Sequence, residues 1–177
     1  MVENINRISI IGGPGTGKST LAKNLGKKLN LPIYHIDGIH HLENWVVRDK
    51  TERDKIILEK VNEPKWVIDG TYRDTLKIRV ERSDMVIYLD YSSIAKLKGI
   101  FSRYFKIRGK ERPEIPGCKE KMNWAFIKFT LKWNKEKRSA VYKILENNQG
   151  KKIYIFKNRK QVNKWYKKEF NKKIEIY

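Results

Sequence analysis

Residues 10–20 read I-I-G-G-P-G-T-G-K-S-T. Gly12, Gly17, Lys18 and Ser19 satisfy G-x-x-x-x-G-K-[ST], the spacing of a phosphate-binding loop. The glycines let the backbone curl so that successive N–H groups point inward at phosphate oxygens. Lys18 then reaches the β- and γ-phosphates as a point charge, and the Ser19 hydroxyl ligates Mg²⁺. A helix opening near Lys18 adds the positive end of its dipole. Gly12, Gly13, Pro14, Gly15, Thr16, Gly17, Lys18, Ser19 and Thr20 are therefore the candidate nucleotide-binding residues. The flanks agree: R-I-S-I-I at 7–11 reads as a strand, and Leu21, Leu25 and Leu29 recur at i, i+4 and i+8 on a helix. A dinucleotide-type G-x-G-x-x-G fails, because Gly13 and Gly15 have Lys18 three positions on.

Around this loop lies a chain of 177 residues, the size of one domain spanning 1–177. It has no apolar run long enough for a membrane span and no secretory signal, so a cytoplasmic protein without a membrane partner is expected. One cysteine, Cys118, excludes an internal disulfide framework and a cysteine-rich zinc site. The net charge of +20 is unevenly placed: residues 1–90 hold 15 basic and 13 acidic side chains, and residues 91–177 hold 25 and 7. That asymmetry points to a polyanionic partner or a phosphate-rich site in the second half. With 29 lysines to 11 arginines, most of the excess reads as a solvated lysine surface.

Further along, 32–36 reads as a strand ending at Asp37-Gly38, and 51–62 as a helix with Thr51 as its N-cap. The runs 66–68, 85–89 and 153–156 are short apolar strands, ending near Asp69-Gly70, Asp90 and Asn158. Asn158 stands three residues ahead of Gln161, a helix-start signal. Apolar strands alternating with helical stretches predict βαβ units and a parallel sheet covered on both faces. Between Ser92 and Asn147 the pattern is helical except for Gly109–Gly117, which contains Pro113 and Pro116 and reads as a mobile lid. Trp124, Ile127 and Leu131 share one helical face, read as packed on the sheet or beneath the lid.

In open α/β sheets, ligands sit beyond the carboxyl ends of the strands. Asp69 there is the candidate second metal-linked group beside Ser19. Asp37 could orient an acceptor hydroxyl, act as general base or reach the metal's water shell, or simply form a turn with Gly38. Asp90 reads as a cap for the next helix, and His35, His40 and His41 as solvated or acceptor-pocket residues rather than zinc ligands.

The set G-G-P-G-T-G-K-S-T and W-V-I-D-G-T-Y-R-D-T resembles the adenylate-kinase-like group of P-loop kinases. That resemblance implies a three-layer sandwich with a five-stranded parallel sheet and a helical lid insertion at about 100–140. It also implies Asp69 in the metal-linked position and Arg73 contacting transferring phosphate, although Tyr72 replaces the usual proline. The order Y-H-I-D, Trp45, W-V-I-D-G-T-Y, E-R-S-D-M-V-I-Y-L-D, P-G-C-K-E and Trp133 is similar to the family labelled DNA topology modulation protein, with Thr71 where that family usually has Asn. The same resemblance implies that Arg103, Arg108 and Arg112, which flank the break, act as lid arginines, and that Asn158 and Arg159 fall where the base of the nucleotide would stack. The expectation is an ATP- and Mg²⁺-dependent phosphotransferase acting on an unidentified acceptor. The rival is a nucleic-acid-binding protein whose weak, salt-sensitive affinity comes from its basic, aromatic second half. No N-K-x-D guanine-reading motif is present, which favours ATP.

Overall fold

The computed structural model describes residues 5–175, so the ends of the expected 1–177 unit lie outside the described residues. Its centre is β1 (Arg7–Gly12), an apolar strand buried on both faces and flanked by β3 (Trp66–Asp69) and β4 (Met85–Leu89). With β2 (Ile33–His35) and β7 (Lys152–Phe156) these form a five-stranded, wholly parallel sheet in the order β2-β3-β1-β4-β7. Strand alternation divides the core. Ile8, Ile10, Val67, Met85, Ile87 and Leu89 face α1 (Lys18–Leu29) and α7 (Arg159–Phe170). On the other side, Ile11, Val86 and Tyr88 meet α4 (Arg73–Arg82) and α6 (Trp124–Glu146). Trp66 and Ile68 pack on Ile36 of α2 (Ile36–His40) and on Ile57 and Val61 of α3 (Lys50–Asn62). Helices on both faces make the expected three-layer sandwich.

Several local expectations change. Asp49, not Thr51, caps α3, its carboxylate accepting from the N–H groups of Thr51 and Glu52 at 2.8 and 3.0 Å. The helix thus starts two residues early, on a side chain better suited to free N–H groups. Asn158 does cap α7, its side chain accepting from the Gln161 N–H at 3.0 Å, while the Gln161 side chain accepts from the N–H of Lys157, one residue before the cap. Asp90 caps nothing: Ser92 opens α5 (Ser93–Ile107). The Asp90 carboxylate instead gathers Arg138, Lys157 and the Tyr142 hydroxyl. On α6 the buried stripe is Ile127, Thr130 and Trp133, while Trp124 and Leu131 face outward, 77% and 49% exposed. The helix is turned one position from the expected face because Trp133 packs over Lys96 beside the loop.

The Gly109–Gly117 break is also ordered differently. It forms a two-stranded antiparallel hairpin of β5 (Glu111–Arg112) and β6 (Ile115–Lys119). Arg108 bridges to Glu120, so the end of α5 returns beside the start of α6 and the two helices run antiparallel. The hairpin is docked rather than free. The Trp45 N–H donates to the Cys118 sulfur (3.2 Å), the Cys118 thiol to the Leu42 carbonyl (3.2 Å), and the Trp45 indole to the Lys119 carbonyl (3.0 Å). Those bonds hold Asn44 and Trp45 at φ 57° and 65°, a left-handed conformation unusual for tryptophan.

Candidate active site

The loop after β1 turns on glycines where a side chain would be strained or would clash. Gly17 precedes α1 at φ 88°, and Gly15, at φ 71°, has the Lys96 carbonyl 2.2 Å from where a Cβ would stand. Thr16 Oγ1 and Lys18 Nζ both donate to the Gly13 carbonyl at 2.9 Å, bracing the turn from inside. From the segment after β3, Thr71 clamps the loop's first residue. Its hydroxyl accepts from the Gly12 N–H and donates to the Gly12 carbonyl, both at 2.9 Å. The sequence offers Thr71 only as a departure from a family pattern; its reach across strands depends on the β1–β3 pairing.

A cavity of about 810 Å³ opens over the loop. Every loop residue from Gly12 to Thr20 lines it except Gly13. At one end stand Tyr91, Arg159 and Asn163; Asn158 is not among the lining residues and is occupied in capping α7. At the other end stand Asp37, Tyr72, Arg73, Arg103 and Arg112. Arg108 is not among the lining residues: it is exposed, with its guanidinium over the Tyr104 ring at 5.7 Å. It leaves the cavity because it closes α5, where its side chain turns back along the helix.

Asp37 sits in the first turn of α2 rather than at a strand end, since β2 stops at His35. Burial opposes its ionisation, but the charges of Lys18, Arg112 and His41 and a hydrogen bond from Tyr72 outweigh it, holding the carboxyl below the ordinary range. Lys18 is shifted down in turn, by burial first, with Asp37 and Asp69 pulling the other way. Burial and then Asp37 push the Tyr72 hydroxyl well up, so it stays a donor. Tyr72, the residue standing in for the usual proline, is thus part of the site.

Asp69 lies beneath the loop, 3% exposed and in register with both Ile10 and His35. One oxygen accepts from His35 Nδ1 at 2.8 Å, and the other is buried with no partner. An orphaned carboxylate oxygen below a loop that presents the Ser19 hydroxyl is a donor set suited to a hard cation such as Mg²⁺. His35 was not expected to be Asp69's partner, because the pairing is set by the register of β2 on β3. The other histidines make ring contacts: His40 is tilted against Tyr72 at 4.8 Å, and His41 meets Trp45 edge-on at 5.3 Å between ring centroids. His41 lines the cavity with Asp37, and His40 is not among the lining residues.

A model of the "ATPase family associated with various cellular activities (AAA)" matches residues 8–69, the loop strand through β3. No curated protein matches the chain. Among solved structures, a shikimate kinase from Bacteroides thetaiotaomicron aligns at TM-score 0.55 and 20% identity, covering 95% of this chain and 99% of that one. An uncharacterised protein from Eubacterium ventriosum aligns at TM-score 0.50 and 13% identity, covering 94% and 98%. The chain therefore has the P-loop, kinase-like fold, and nothing in these likenesses is specific to DNA topology modulation. No helix among the described residues is long and apolar enough to cross a membrane.

Proposed function

We propose that the protein is an ATP-dependent phosphotransferase that moves the γ-phosphoryl group onto a hydroxyl of a small acceptor. The observation that carries this reading is Asp37, an ionised carboxylate set close to Lys18 in the same cavity. Lys18 would neutralise the phosphates, and Asp37 would hold the hydroxyl in line with them. As the acceptor oxygen bonds to phosphorus, the bond from phosphorus to the β–γ bridging oxygen breaks. ADP leaves with that electron pair, and the hydroxyl proton passes to Asp37. Its depressed pKa suits a group that orients the hydroxyl first and accepts the proton late, as a loose transition state allows. Arg73 and Arg103 would offset charge on the transferred group. Tyr91 and Arg159 would flank the base. Ser19 and Asp69 would hold Mg²⁺, directly or through water, and the ion would supply charge neutralisation to the phosphates. The kinase-like fold of the shikimate kinase supports the same class of reaction. We read 1–177 as one working unit whose lid-like part is about 100–140.

The test is ADP release from ATP·Mg²⁺ with a panel of nucleotides and hydroxylated metabolites. Asp37→Asn should lower acceptor-dependent turnover by about 10²–10⁴-fold with nucleotide affinity little changed. Lys18→Ala should weaken ATP itself. Absence of any acceptor-dependent ADP, with Lys18→Ala behaving as wild type, overturns the reading.

A further inference from the structure

We infer that the acceptor carries an anionic group, a carboxylate or a phosphate, and that Arg112 is the residue that recognises it. The inference rests on the phosphotransferase reading above and assigns Arg112 to the acceptor rather than to the transferred phosphate.

Position gives the first argument. Arg112 belongs to the hairpin, and the hairpin is fastened to the acceptor side of the site. Its Cys118 and Lys119 bond residues 42 and 45, and the Glu114 carbonyl lies 2.3 Å from where a Cβ on Gly38 would stand. Gly38 follows Asp37 directly, so Arg112 and Asp37 are set on two segments in backbone contact. The Arg112 guanidinium also lies over the Trp45 ring, 5.6 Å from its centroid.

Unspent binding capacity is the second. Arg112 is 8% exposed, yet its ion pair to Glu120 spans 3.6 Å, too long for a hydrogen bond, and its Nε is buried without a partner. Glu120 is already engaged by Arg103, whose Nη2 donates to Oε1 at 3.3 Å and whose Nε stands 3.0 Å from Oε2 as an ion pair without a hydrogen bond. Two guanidinium groups share one carboxylate, while Asp37 and Glu114, the other carboxylates that feel Arg112, are each opposed first by a lysine of their own, Lys18 and Lys23, so one positive charge is left in excess at the acceptor end. A buried guanidinium with idle donors is costly unless a ligand fills them. Its planar fork matches a carboxylate or phosphate through two parallel bonds. A neutral polyol would satisfy Asp37 and leave Arg112 unmet. An acceptor with a hydroxyl at one end and an anion at the other satisfies both, its body lying along Trp45 and His41.

The test uses matched probes that differ in charge: glucose, gluconate and glucose 6-phosphate, and glycerol, glycerate and glycerol 3-phosphate, within a larger panel of such sets. Binding is read by thermal shift and calorimetry on the full chain with a non-hydrolysable ATP analogue and Mg²⁺ present. The expected result is stabilisation by anionic members only; carboxylate and phosphate arms tell which anion is preferred. Arg112→Gln should weaken those members roughly 10- to 100-fold and change analogue affinity less than about threefold. Arg112→Lys keeps the charge without the fork and should recover part of the loss; it carries the comparison if Arg112→Gln does not fold. Equal binding of neutral members, binding by no member of any set, or a loss of analogue affinity in place of acceptor affinity overturns the inference. ADP release is measured on the same probes. Anion binding through Arg112 without ADP would count against phosphotransfer and leave the anion site standing.

Discussion

Lys96 gives the sharpest test of how the loop is supported. It projects from α5 and is wholly buried, with Nζ 2.7 Å from Asn134 Oδ1 and 4.7 Å from the centre of the Trp133 ring. Its Cδ lies 2.6 Å from where a Cβ on Gly13 would stand, so its stem backs the phosphate-binding loop. Burial lowers its pKa to about 8; Asp90 opposes that shift, and Lys18 and Arg138 add to it. The ordinary value is 10.5. Between these two pH values the unfolded chain holds a proton on Lys96 that the folded chain has released. Stability must therefore rise with pH across that window. At about 1.4 kcal/mol per pKa unit, the gain reaches roughly 2–3 kcal/mol by pH 10.

Lys96→Met isolates this contribution. Methionine keeps an apolar stem against Gly13 and cannot titrate. At pH 7 the variant escapes the cost of burying a cation but loses the Asn134 bond, so wild type and variant should differ little. By pH 10 wild type should be the more stable by about 2–3 kcal/mol. Urea denaturation at pH 7, 8, 9 and 10 on both proteins measures the difference, in which the other titrating side chains cancel. A constant difference across the range would show that Lys96 is not a desolvated cation and that the loop's backing is purely steric.

Thr71→Val should cost about 1–3 kcal/mol, because the Gly12 N–H and carbonyl lose their shared partner, and Thr71→Ser should restore most of it; denaturation midpoints report both. Gly99→Ala should be destabilising by at least about 1–3 kcal/mol, since the new Cβ would stand 1.9 Å from the Gly15 carbonyl and α5 must move off the loop. Nucleotide affinity should fall with it, and unchanged affinity in a fluorescent-nucleotide titration would disprove the coupling. Any DNA affinity should fall steeply between 50 and 200 mM salt and ignore ATP, as expected of a lysine-rich surface. Affinity that persists at 200 mM and responds to ATP would reinstate the nucleic-acid reading.

The parts legible in the sequence are those written in adjacent residues. The loop motif, the strand before it and the leucine face after it are spelled in one continuous stretch, and Asn158 caps its helix through the N–H of Gln161, three residues on. Asp37 and Asp69 also stand out on sequence, as carboxylates at or just after short apolar runs, whereas Arg73 follows only from the resemblance of W-V-I-D-G-T-Y-R-D-T to P-loop kinases. What failed depends on contacts made across the chain. Asp90 looks like a cap until Arg138 and Lys157 arrive from 48 and 67 residues away. Thr71 looks like a departure until β3 pairs with β1.

The arginines make the limit plain. Arg108 and Arg112 are four residues apart, equally basic and equally placed around a glycine- and proline-containing break. On sequence they carry the same claim to a phosphate. Only the docking of β6 on Leu42 and Trp45 turns Arg112 inward beside Asp37, while Arg108 ends a helix over Tyr104. Phosphate chemistry is local because any triphosphate makes the same demands on a loop. Acceptor chemistry is set where a hairpin meets a distant helical turn, and that meeting gives Arg112 a buried charge to place.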